Sequence, residues 1–95
     1  MDTNIEQIKQ SISPILQRYG VSKAALFGSI VKGQMQPKSD IDILVQIDSD
    51  ISLLDFVGLK IELEQALKRN VDVVEYDTIK PFLREMILKE QQVIL

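Results

Sequence analysis

The sequence predicts an α/β (α+β) fold, a small mixed β-sheet flanked by helices in the order α-β-α-β-α-β-α. Three observations carry this. Ile5, Ile8, Ile12, Ile15 and Tyr19 recur at steps of three and four, which marks one face of a helix. Three short aliphatic runs, residues 21–27, 40–47 and 71–76, have strand length and strand composition. The stretches between them hold capping residues, glycines and a second and third helical pattern.

Taken in order, the first helix contains Pro14, which lacks an N–H. The ring should kink that helix, or Ser13 should cap a second helix with Pro14 at its first position. Gly20 suits a helix stop, because it enters the left-handed region freely. A strand over 21–27 follows. Residues 28–39 hold two Gly, a Pro and several Lys and Ser, which fits a short helical turn and then a loop. The second strand spans 40–47. Ser52 with Asp55 three residues on has the spacing of a capping box, and opens a helix to about Arg69, with Asn70 as the left-handed cap. A third strand covers 71–76. Thr78 can cap the last helix, with Pro81 in its first turn and Phe82, Leu83, Met86 and Ile87 as its apolar face. The apolar end Val93-Ile94-Leu95 is either a short strand or a docking segment.

Ninety-five residues make one domain, 1–95. Cysteine and histidine are both absent, which excludes disulfides, zinc–thiolate sites, thiol nucleophiles and a Ser-His-Asp triad. An enzyme built from this chain must use carboxylates, hydroxyls, lysines and bound metal. Net charge is −3, divided as +1 over residues 1–47 and −4 over residues 48–95. No basic face for phosphate neutralisation is legible, so direct nucleic-acid binding is not expected. No apolar run is long enough to span a bilayer and no signal-peptide core opens the chain, so a cytoplasmic location with no membrane partner is expected.

Chemistry concentrates between residues 26 and 45. Leu26-Phe27-Gly28-Ser29 ends one apolar run, and Asp40-Ile41-Asp42-Ile43-Leu44-Val45 opens the next. A strand turning through Gly-Ser into helix leaves backbone N–H groups pointing outwards, which favours an anion. Alone, such a corner is an ordinary turn. On a strand, Asp40 and Asp42 share one face while Ile41, Ile43 and Val45 take the other. Their Cβ atoms lie roughly 6–7 Å apart, from a rise of about 3.3 Å per residue, so the pair can share two Mg²⁺ ions. Alone, an Asp-x-Asp is an exposed sheet edge. Asp72, inside Val71-Asp72-Val73-Val74, joins them if its strand lies alongside; otherwise it faces solvent, and Glu75 and Asp77 are rivals. Lys32 and Lys38 lie between the corner and the carboxylates. Lys32 is the better phosphate ligand, one helical turn beyond the corner.

Together these features are specific, since strand order, face and spacing must all agree. Gly28-Ser29, ten residues, then Asp40 and Asp42, with Asp72 on a later strand, resembles the polymerase-beta-like nucleotidyltransferase superfamily and most closely its minimal nucleotidyltransferases. The resemblance runs from Tyr19-Gly20-Val21 to Asp77 and the Pro81-Phe82-Leu83-Arg84-Glu85 helix. It departs at Ile30, Val31 and Lys32, where members often carry an aromatic or Arg, then Ala, then Arg. Lysine keeps the charge without the forked donors of arginine. The resemblance implies a polymerase-beta-like palm. Asp40, Asp42 and Asp72 become metal ligands for Mg²⁺, two ions in the family's chemistry, with Asp72 also the general base. Gly28, Ser29 and Lys32 become the phosphate-binding group for ATP. It further implies an antitoxin that transfers AMP to a tyrosine hydroxyl of a HEPN-domain RNase toxin and releases pyrophosphate. Two alternatives remain open at this level: an antitoxin that acts by binding alone, and a nucleotidyltransferase for a small molecule.

Overall fold

The computed structural model describes residues 5–34, 36, 39–48 and 50–95. Its elements are α1 (Ile5–Arg18), β1 (Val21–Phe27), a 3₁₀ turn (Gly28–Ile30), β2 (Ile41–Ile47), α2 (Leu53–Leu67), β3 (Val71–Glu75), a second 3₁₀ turn (Tyr76–Thr78), α3 (Pro81–Glu90) and β4 (Gln92–Val93). The sheet order is β3-β2-β1-β4. β1 runs antiparallel to both β2 and β4, while β2 and β3 are parallel. The sheet is therefore mixed, with β3 and β4 at its edges.

Side-chain alternation splits the core into two layers. Ala24, Leu26, Ile41, Ile43, Val45 and Val71 pack with Ile8, Ile12 and Leu16 of α1 and with Leu59 and Leu63 of α2. The other face carries Ala25 and Leu44 with Tyr76 and Ile79, and partly buried Phe27, Val74, Leu83, Ile87 and Leu88 pack against them. Two helices thus cover one face and α3 covers part of the other. Leu44 has no exposed surface and is the central apolar group of the α3 side. Leu44→Ala is expected to cost about 3 kcal/mol, from the lost burial plus an unfilled cavity. A denaturant titration should show a lower midpoint at an unchanged slope.

Local chemistry explains most element ends and corrects several expectations. Pro14 does not divide the first helix: α1 runs unbroken through it, and the Ser13 hydroxyl donates back to the Lys9 carbonyl at 2.6 Å rather than capping a new helix. Gly20 takes φ +79 after α1, as expected of a helix stop. Ser52 caps α2, its hydroxyl accepting the Asp55 N–H at 3.0 Å. The left-handed residue after α2 is Lys68, at φ 54, and not Asn70. Asn70 is already committed to the sheet, its carbonyl accepting the Ile41 N–H at 3.0 Å, so the chain must turn earlier. Thr78 does not cap α3 either. Its hydroxyl donates to the Glu75 carbonyl within the 3₁₀ turn, and α3 starts at Pro81 behind Lys80. Leu83 and Ile87 form the packed face of α3, whereas Phe82 and Met86 are exposed. The C-terminal end is a short strand, and it adds a fourth element to the sheet: β4 pairs with β1, and Ile94 is buried. Among the described residues, no helix is long and apolar enough to cross a membrane.

Candidate functional site

The topology brings three acidic positions to one end of the sheet. Asp42 lies at the start of β2 and Asp72 at the start of β3, and the parallel register sets them side by side. Neighbouring strands are about 4.8 Å apart, and both side chains occupy the α3 side of the sheet. Leu44 and Val74, the next pair on that face, are covered by α3; the two carboxylates lie one row beyond that cover. Asp40 precedes β2 and is exposed. The starts of the two strands are tied together by the Ile41–Asn70 hydrogen bond, and the Val71 N–H donates to the Glu64 carboxylate at 3.0 Å.

Electrostatics at this point are unfavourable without a cation. The Asp42 carboxyl is pushed up from 3.8 to about 6, first by burial, then by the Asp72 and Asp40 carboxylates. A carboxyl that holds its proton to that pH beside two other acids is a group waiting for positive charge.

The Gly28-Ser29 corner meets the carboxylates directly. Antiparallel pairing sets Phe27 opposite Asp42, so the 3₁₀ turn begins beside that carboxyl. Gly28 adopts φ +76, and a Cβ there would lie 2.3 Å from Asp42 Oδ2. The absence of a Cβ at this position is thus required both by the backbone conformation and by the space Asp42 fills. The sequence suggests a phosphate-approach role for Gly28; its packing against Asp42 was not legible, because the sequence between the two strands does not reveal their register. The Gly28 carbonyl accepts the Val31 N–H at 3.1 Å and the Lys32 N–H at 3.2 Å, which closes the turn. The N–H groups that open a helical turn have no acceptor within that turn, and its dipole favours an anion there. Ser29 is half-buried in this turn. Lys32 follows it, but its ammonium engages Glu90 at the end of α3 at 3.3 Å. Lys38, the weaker phosphate candidate, lies outside the described residues.

These residues fit a hard divalent cation. The donors are all carboxylate oxygens, and the burial and the Asp72 and Asp40 carboxylates that raise Asp42 are what a bound cation would offset. Among the described residues, no three acidic side chains form a ready-made metal cage. Mg²⁺ is commonly bound by one or two carboxylates together with substrate phosphates.

Residues 10–95 match the family model described as polymerase beta, nucleotidyltransferase. The chain belongs to this nucleotidyltransferase family, and its fold is that of a minimal member. A chain described as a candidate minimal nucleotidyltransferase superposes with a TM-score of 0.85 at 32% identity, covering 97% of this chain and 95% of that one. A Methanocaldococcus jannaschii protein, named as a candidate protein adenylyltransferase, is 48% identical over 92% of this chain and 94% of its own length. The protein adenylyltransferase MntA of Thermococcus cleftensis is 38% identical over 78% of this chain and 75% of its own. A toxin–antitoxin complex with AMP-PNP contains the same fold, with a TM-score of 0.79 at 24% identity, covering 92% of this chain and 72% of that one.

Proposed function

We propose that this chain is a Mg²⁺-dependent protein adenylyltransferase, the antitoxin of a HEPN RNase toxin, and that it moves AMP from ATP to a tyrosine hydroxyl of that toxin. The observation that carries this reading is the in-register pair Asp42 and Asp72 beside the Gly28 turn. Relatives named protein adenylyltransferase, similar over most of their length, support the acceptor class.

In this reading Asp40, Asp42 and Asp72 hold Mg²⁺, which neutralises charge on the triphosphate and on the leaving pyrophosphate when bound. The Gly28-Ser29 turn presents its N–H groups and the Ser29 hydroxyl to the terminal phosphates. Lys32 exchanges Glu90 for a phosphate oxygen. The Asp72 carboxylate, at the exposed start of β3, accepts the proton of the incoming hydroxyl. The hydroxyl oxygen bonds to the α-phosphorus, the bond from that phosphorus to the β-phosphate bridge breaks, and pyrophosphate departs.

Incubation of the HEPN toxin with this chain, Mg²⁺ and α-labelled ATP is expected to label the toxin, with mass gains in units of one AMP residue. Asp40→Asn should abolish both label and neutralisation. Neutralisation that survives this substitution would instead identify a binder.

A further inference from the structure

We propose that the outward face of α2, with the groove along the free edge of β3, is the docking surface for an amphipathic helix with a basic rim, supplied by the acceptor protein. This rests on the adenylyltransferase reading and names where its protein substrate is held.

The surface is built from large apolar groups that the fold leaves uncovered. Leu53, Leu54, Val57 and Ile61 are 79%, 83%, 43% and 47% exposed. At 100° per residue these four positions fall within about a quarter of the helix circumference, so they form one stripe rather than scattered side chains. The packed face of α2, through Leu59 and Leu63, points the other way. The stripe continues through Leu53 into a groove of about 540 Å³, lined also by Ile51, Phe56, Val73, Val74 and Glu75. Contiguous exposed apolar surface of this kind marks a partner site. An amphipathic partner helix can lay its apolar face along such a stripe and groove.

Charge selects among occupants. Glu75 lines the groove, Asp50 precedes α2 and Asp77 follows β3; Lys60, beside Leu53 on the helix surface, is the basic exception. An acidic rim disfavours RNA and anionic lipid. It also disfavours a second copy of this chain, since pairing the same face would bring like charges together. A helix with lysines and arginines beside its apolar ridge meets both requirements, and an RNA-cutting protein has reason to be basic. Exposed Phe82 and Met86 on α3 are flanked by Arg84, Glu85 and Lys89, a mixed rim with no such selectivity.

Position links this surface to the reaction. β3 carries Asp72 near its start and Glu75 at its end, about 10 Å apart from strand rise. A partner seated along that edge delivers a hydroxyl to the carboxylates without covering them.

The test uses Leu54→Gln with Ile61→Gln, both good helix formers at exposed positions, assayed against the purified HEPN toxin. Toxin affinity, measured without ATP, should fall about 30-fold or more, the scale of an interface anchor. Transfer at sub-saturating toxin should fall in parallel, with Mg²⁺-ATP binding unchanged. Glu75→Gln should flatten the salt dependence of association. Parental affinity in the double variant overturns the proposal. So does a parental dimer that the same substitutions dissociate, since the face would then belong to a second copy. Loss of toxin binding in the double variant, with no AMP transferred even by the parent, would uphold the docking surface and overturn the transferase reading alone.

Discussion

Asp42→Asn is expected to lower nucleotidyl transfer by about 10³-fold or more while making the metal-free protein more stable at neutral pH. The two effects have one cause. Burial and the neighbouring Asp72 and Asp40 raise the Asp42 carboxyl from 3.8 to about 6, so the folded state holds this proton more tightly than the unfolded chain does. The resulting stability is fully present below about pH 4 and is lost as pH rises through 6. At pH 7 the ionised carboxylate therefore weakens the metal-free fold. A shift of this size corresponds to a few kcal/mol in a fully buried site, but Asp42 keeps solvent access, and screening reduces the effect to about 1 kcal/mol. Asparagine keeps the shape and removes the charge. Its melting temperature should exceed that of the parent at pH 7, and the gap should close towards pH 4. Added Mg²⁺-ATP should raise the parent's melting temperature and leave the variant's nearly unmoved. Equal stability of the two proteins at pH 7 would remove the electrostatic reading of the site.

This trade between stability and function explains why the site was readable from sequence at all. A buried Leu needs no explanation, but alternating carboxylates on a strand otherwise rich in Ile and Val do. Period-two alternation placed Asp40 and Asp42 on one face, and the observed register keeps Asp42 on the side opposite Ile41, Ile43 and Val45. Asp72 was legible as a candidate from its β-branched surroundings. Its position beside Asp42 was not, because parallel pairing depends on a crossover through α2 and on the Ile41–Asn70 hydrogen bond, which is a long-range contact.

Helix ends were less legible than helix faces. Asn70 and Thr78 both have good capping chemistry, yet each is drawn into a neighbouring structure: Asn70 by its carbonyl's bond to β2, Thr78 by its hydroxyl's bond to Glu75. Capping preference lost to a long-range sheet contact at Asn70 and to a competing local turn at Thr78. On α3 the period was right, but four apolar residues exceed what one narrow contact can bury, so Leu83 and Ile87 pack and Phe82 and Met86 do not. Lys32 shows the same limit at the site. Its spacing from Gly28 is local and readable, whereas its ion pair with Glu90 joins positions far apart in the chain.

Gly28→Ala is the second substitution with a large expected effect, and it tests geometry rather than charge. Two penalties combine. Alanine at φ +76 costs roughly 1 kcal/mol, from the contact between its Cβ and the carbonyl oxygen. The added methyl would also lie 2.3 Å from Asp42 Oδ2, far inside van der Waals contact, so either the turn or the carboxylate must move. Asp42 has little room to retreat, because Phe27 is its register partner on one side and Asp72 on the other. The total should be about 2–3 kcal/mol of stability, read as a lower denaturation midpoint. Activity should fall further than stability implies, since a displacement near 1 Å in a catalytic group can cost about 10²-fold. The Gly28→Ala, Asp42→Asn double variant separates the contributions. Removing the charge leaves the clash, so the double variant should remain strained at the turn and show no recovery of transfer. If Gly28→Ala alone transfers AMP at the parental rate, the carboxylate is not held where the strand register puts it, and the assignment of Asp42 to the reaction fails with it.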